Sequence, residues 1–173
     1  MHKPLLLAFG AFAALSFGTA SAASLDIEIE LPRIDVSDYR RPYVAVWLER
    51  PDNSVAANLA VWYDIKMRND EGTKWLKDMR QWWRRSGREL SVPVDGVTSA
   101  TRAPGQHNLS FTAGTQPLGD LAPGEYRLVL EASREHGGRE LLTIPLQWPP
   151  TEASRSNVQG EHEFGSVSLQ LTP

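Results

Sequence analysis

The chain has 173 residues, with 18 Lys+Arg against 21 Asp+Glu, four His, no Cys and a formal net charge of −3. That length and a hydrophobic content of 41% suit one folded domain that buries roughly two thirds of its extended-chain surface. The absence of cysteine excludes disulfide staples, thiol chemistry and thiolate-held zinc or iron–sulfur centres, and the mildly acidic balance argues against a general nucleic-acid binder.

The first 22 residues read as a secretory signal peptide. His2 and Lys3 precede an apolar run from Leu5 to Phe17, and small residues follow up to Ala20-Ser21-Ala22. A basic start, an apolar middle and a small-residue cleavage site is the order of an export signal, and the apolar part is short for a membrane span. The domain division is therefore a signal peptide at 1–22 and a single domain at 23–173, with the periplasm as its place. Loss of the signal takes Lys3 with it and leaves 17 Lys+Arg against 21 Asp+Glu, or −4.

The mature chain alternates in the manner of strands. Leu25, Ile27, Ile29 and Leu31 interleave with Asp26, Glu28 and Glu30, the period of a half-buried strand that Pro32 ends. Tyr43–Leu48 and Leu59–Tyr63 flank the turn Pro51–Ser54 and read as a hairpin. From Thr73 to Arg85 the pattern changes to a short Trp-rich helix, with Thr73 as its cap and Ser86-Gly87 as its stop. Trp75, Met79 and Trp82 share one face of that helix, Leu76, Met79 and Trp83 another. Six basic residues and one acidic residue lie between Lys74 and Arg88. Strands are expected again at Leu90–Val94, His107–Phe111, Tyr126–Leu130, Glu140–Ile144 and Val167–Leu171, with loops at Asp95–Gly105 and Thr151–Gln159. Eight strands, one helix and no βαβ rhythm predict an all-β fold. The architecture expected is an antiparallel β-sandwich of immunoglobulin-like type, with a closed barrel as the alternative.

The loop Asp95-Gly96-Val97-Thr98-Ser99-Ala100-Thr101 offers three hydroxyls and one carboxylate among small side chains, so it can present Thr101 without steric cover. By itself a threonine hydroxyl is not an activated nucleophile, and composition alone leaves an ordinary surface turn as the plain reading. The segment nevertheless resembles the motif at which FAD-dependent flavin transferases attach FMN: Asp, two variable residues, Ser or Thr, a small residue that is usually Gly, then Ala and Thr. Ser99 in the glycine position is the one departure. Over roughly Leu25 to Leu171 the chain also resembles the exported bacterial family catalogued as domain of unknown function 2271. The stretches that carry this likeness are Arg41–Trp47, Trp62–Asp64, Lys74–Leu76, Arg80–Arg84, Asp95–Gly105, Arg134–Glu140 and Gly160–Glu163.

The resemblance implies an extracytoplasmic electron carrier with FMN held on Thr101 by a phosphoester. A FAD-dependent flavin transferase would attach the group and a membrane-embedded reductase would exchange electrons with it. Asp95 and Thr98 would position the loop or be read by the transferase, and Ser99 and Ala100 would keep it slim. Under that reading Trp83 is a candidate to stack on the flavin ring and Arg84 to offset its phosphate. Two other readings stand beside it. One is a non-catalytic periplasmic binding or interaction sandwich. The other is a metal-binding accessory protein using His136, beside Glu135, and His162, between Glu161 and Glu163.

Overall fold

A computed structural model describes residues 22–173; the signal peptide expected at 1–22 lies, apart from Ala22, outside the described residues. Among the described residues, nine strands occupy two sheets: β1 (Ser24–Leu31), β2 (Tyr43–Glu49), β3 (Val55–Tyr63), β4 (Thr98–Ala100), β5 (Gly105–Thr112), β6 (Gly124–Ser133), β7 (Arg139–Trp148), β8 (Ser154–Gln159) and β9 (Ser166–Thr172). The four-stranded sheet runs β5-β1-β9-β8 and the five-stranded sheet runs β4-β3-β2-β6-β7. Every neighbouring pair is antiparallel except β3 and β4, which are parallel. Between the sheets lies the main core. Leu25, Ile27, Ile29 and Leu31 of β1 meet Val44, Val46 and Leu48 of β2, with Leu128, Leu130, Val167 and Leu169 around them. The fold is a β-sandwich, built by alternating strands that each turn one apolar face inward.

The five-stranded sheet is apolar on its outer face as well. Ala45, Trp47, Val61, Tyr63 and Val129 point away from the main core and are covered by Leu76, Met79 and Trp82. This explains why β2 and β3 read as continuous apolar runs rather than as alternating strands: they are buried on both sides. The cover is the segment between β3 and β4. It consists of 3-10 turns over Arg68–Asp78, a break at Met79 (φ −76°, ψ 75°) and a short helix α1, Arg80–Arg85.

Six local expectations are corrected. The helix expected over Thr73–Arg85 is divided at Met79, and Thr73 Oγ1 donates to the Asp70 carbonyl (2.7 Å) instead of capping a helix. Leu76 from the 3-10 turns, Met79 at the break and Trp82 from α1 face inward onto the sheet, which leaves Trp75, the neighbour of Leu76, 45% exposed. Leu90–Val94 is not a strand: Leu90, Val92 and Val94 pack against the outer cluster without a strand neighbour. The loop Asp95–Gly105 contains β4, and the stretch Thr151–Gln159 contains β8. The polar side chains of β8 are mostly exposed, so its main-chain pairing with β9 rather than a buried face makes it a strand.

Candidate functional site

The loop singled out from sequence is fastened at both ends. Gly96 turns the chain with φ +72°, a conformation that an L side chain rarely adopts. Val97 is 8% exposed and belongs to the outer cluster. Thr98 Oγ1 accepts from the Val94 N–H and donates to the Val94 carbonyl, both at 2.9 Å. From there β4 runs beside the end of β3, with Thr98, Ser99 and Ala100 paired to Val61, Trp62 and Tyr63. Thr101 continues the ladder, its N–H donating to the Tyr63 carbonyl at 3.2 Å.

Thr101 is half-buried and lines, with Ala100, a cleft of about 470 Å³. That volume falls in the range of small-molecule sites, roughly 300–1,000 Å³. Tyr43, Met67 and Trp75 give the cleft its apolar surface, and Arg40, Arg41 and Lys66 its cations. Asp64, Glu71, Asp78 and Glu135 bring four carboxylates to the same walls. Two of these charges are engaged locally: Arg40 pairs with Asp38 (3.1 Å) and Glu71 with Lys74 (2.7 Å). Burial raises the pKa of the Tyr43 hydroxyl; a backbone hydrogen bond from Asp64 opposes this, and the carboxylates of Asp64 and Glu135 add to the rise. Tyr43 is therefore a neutral phenol at physiological pH, able to donate or accept. Gly72 permits the close approach of the covering segment to this corner, since a Cβ there would collide with the Asp64 carbonyl and press on the Tyr43 hydroxyl.

The remaining residues picked from sequence fall into three places. Asp95 is exposed at the turn before Val97. Ser99 Oγ accepts from Arg102 (3.4 Å), whose guanidinium lies 5.3 Å over the Trp62 ring. Trp83 and Arg84 are on α1 and do not line the cleft: Trp83 leans on Trp82 (ring centroids 6.3 Å apart), and Arg84 donates to Gln81 Oε1. The indole that does share the cleft with Thr101 is Trp75. Sequence reasoning assigned it to an apolar helix face because it assumed one unbroken helical period across Met79. Arg40, Arg41 and Tyr43 were missed as well. They come from the start of β2 and the residues before it, far from Thr101 in the chain, and only the pairing of β2 with β3 brings them near.

The two histidines lie elsewhere. His136 Nδ1 is 3.6 Å from an Asp38 oxygen, and His162 Nε2 is 4.0 Å from Glu161. Among the described residues, no three of His, Cys, Asp and Glu are grouped so as to hold a metal ion.

Residues 24–166 match the family described as "Predicted periplasmic protein (DUF2271)". The chain belongs to this family. The match spans almost all of the sandwich, including the Thr101 loop and the cleft, and the protein is periplasmic. Comparison with curated proteins and with solved structures gives no match.

Proposed function

We propose that this DUF2271 protein is a periplasmic electron carrier whose FMN is attached to Thr101 through a phosphoester. The observation that carries the reading is the position of Thr101: outside the main core, on a strand-anchored loop, at the wall of an open cleft with an accessible Trp75. A transferase needs that hydroxyl within reach, and the small neighbours Ser99 and Ala100 leave room around it. In the attachment step, Thr101 Oγ1 bonds to the FMN phosphorus of FAD and the anhydride bond to AMP breaks. AMP leaves, and the hydroxyl proton is released.

The residues present suit the group. Trp75 offers an indole face to a flat ring, and Tyr43 offers a neutral hydroxyl. Arg41 and Lys66 offer cations to a phosphodiester, which bears a single negative charge. When bound, the flavin supplies one- or two-electron redox chemistry. The protein's part is to hold it against loss, to shield one face and to keep the other open to a membrane-embedded reductase. We take the sandwich as immunoglobulin-like in build; its two sheets, antiparallel except where β4 joins β3, with the chain crossing repeatedly between them, support that placing.

Intact mass tests the reading. Co-expression with a flavin transferase is expected to add one FMN to the wild-type chain and none to Thr101→Ala. An unchanged wild-type mass alongside a control substrate that the same transferase modifies overturns it. One observation favours the non-catalytic binding module instead: carboxylates outnumber cations on the cleft walls. A cleft of that balance beside Trp75 and Met67 suits an apolar cation, and wild-type protein that resists flavin attachment points to that use.

A further inference from the structure

The segment covering the outer face of the five-stranded sheet differs from the rest of the protein in charge. From Ile65 to Glu89 it carries eight Lys+Arg and four Asp+Glu, or +4, in a chain of −3 overall. The reason for the segregation is geometric. Leu76, Met79 and Trp82 turn inward onto the sheet, so the intervening positions are left to face solvent. Among the described residues, Lys66, Arg68, Lys77, Arg80, Arg84 and Arg88 have no carboxylate within ion-pair distance, and all six are exposed.

The same segment carries apolar side chains into water. Ile65 (46%), Met67 (39%) and Trp75 (45%) are three of the five large hydrophobic residues exposed among the described ones. Neither charge nor core packing explains why they stand there. Unpaired cations around exposed Trp, Ile and Met form the surface that a bilayer interface accepts. The cations meet anionic headgroups, and the apolar groups enter the boundary below them. A lipid surface also demands no matching shape, which suits cations spread along 3-10 turns and a short helix. The periplasm is bounded by membrane on both sides, so such a surface is always at hand.

We propose that residues 65–88 dock the protein reversibly on anionic phospholipid. Lys66, Met67 and Trp75 belong both to this surface and to the cleft, so docking brings the cleft mouth to the membrane. The proposal does not depend on flavin attachment.

The test is co-sedimentation of protein purified from the periplasm with phosphatidylethanolamine vesicles containing a quarter phosphatidylglycerol. Phosphatidylcholine vesicles are the control. The protein is expected to sediment with the anionic vesicles, to stay in solution with the neutral ones, and to be released at about 1 M salt, where the screening length is roughly 3 Å. Lys77→Glu combined with Arg80→Glu is expected to weaken binding roughly twentyfold or more with an unchanged melting temperature, since neither side chain packs in the core. Trp75→Ser is expected to weaken it independently of salt. Failure to sediment with the anionic vesicles, equal binding to both lipids, or indifference to the Lys77/Arg80 exchange overturns the proposal. Retention on an acidic polypeptide without vesicle binding also overturns it and assigns the surface to a protein partner.

Discussion

Thr98 shows how one side chain fixes the geometry of the candidate site without entering the cleft. Its hydroxyl closes the turn after Val94 with two hydrogen bonds, and the turn delivers β4 to the edge of β3. Thr98→Val keeps the shape of the side chain but leaves the Val94 N–H without this acceptor. Urea unfolding is expected to report a loss of about 1–2 kcal/mol, and hydrogen exchange should quicken at the Thr101 amide, which the same ladder holds. Thr98→Ser keeps both hydrogen bonds and should restore most of the loss. A hydroxyl at this position therefore has a structural role in the loop.

Connections between elements, as well as the apolar interior, hold the two sheets in register. Glu140 of β7 accepts the backbone N–H groups of Glu161, His162, Glu163 and Phe164, which form the turn between β8 and β9 in the other sheet. Glu163 answers in the opposite direction, accepting from Arg134 and from the Gly138 N–H in the turn between β6 and β7. Burial raises the Glu140 pKa, but the four N–H donors outweigh it and hold the carboxyl below its ordinary value of 4.5. A depressed folded-state pKa contributes stability that is present above the unfolded value and is lost as pH falls through the folded one. Melting temperature is therefore expected to fall as pH drops below about 4.5, and Glu140→Gln should flatten that fall while lowering stability at pH 7. An equally steep acid limb in the variant would assign the acid sensitivity to other carboxylates.

At the scale of the whole molecule the ends of the domain complete one sheet. β1 lies between β5 and β9, and β9 in turn carries β8. Val167, Leu169 and Leu171 of β9 are buried in the main core. Removal of residues 166–173 would strip β1 of one neighbour and β8 of its only one, and would open the apolar interior to water. The truncated chain is expected to lose cooperative thermal unfolding, as followed by circular dichroism. A cooperative transition near that of the full chain would show that the sandwich closes without its last strand.

Sequence alone determined the features that depend on neighbouring residues. Alternation marked β1 and the final strand, aromatic and branched runs on either side of a polar turn marked the hairpin of β2 and β3, and Gly96 marked the turn that leads to Thr101. These follow from backbone geometry, since a strand shows its buried face every second residue and a turn shows its glycine. Tertiary structure decided what depends on residues far apart in the chain. β8 is a strand because β9 pairs with it, and no apolar period of its own announces it. Leu90–Val94 has the composition of a strand, but its apolar side chains pack on the outer cluster and its backbone pairs with no strand. Trp75 is exposed because the chain breaks at Met79 to fit the outer face of the sheet, and the next inward positions then fall to Leu76 and Trp82. Arg41, Tyr43 and Trp75 stand with Thr101, while Trp83 and Arg84, nearer in sequence, do not. Separation along the chain does not measure separation in space once strands have paired.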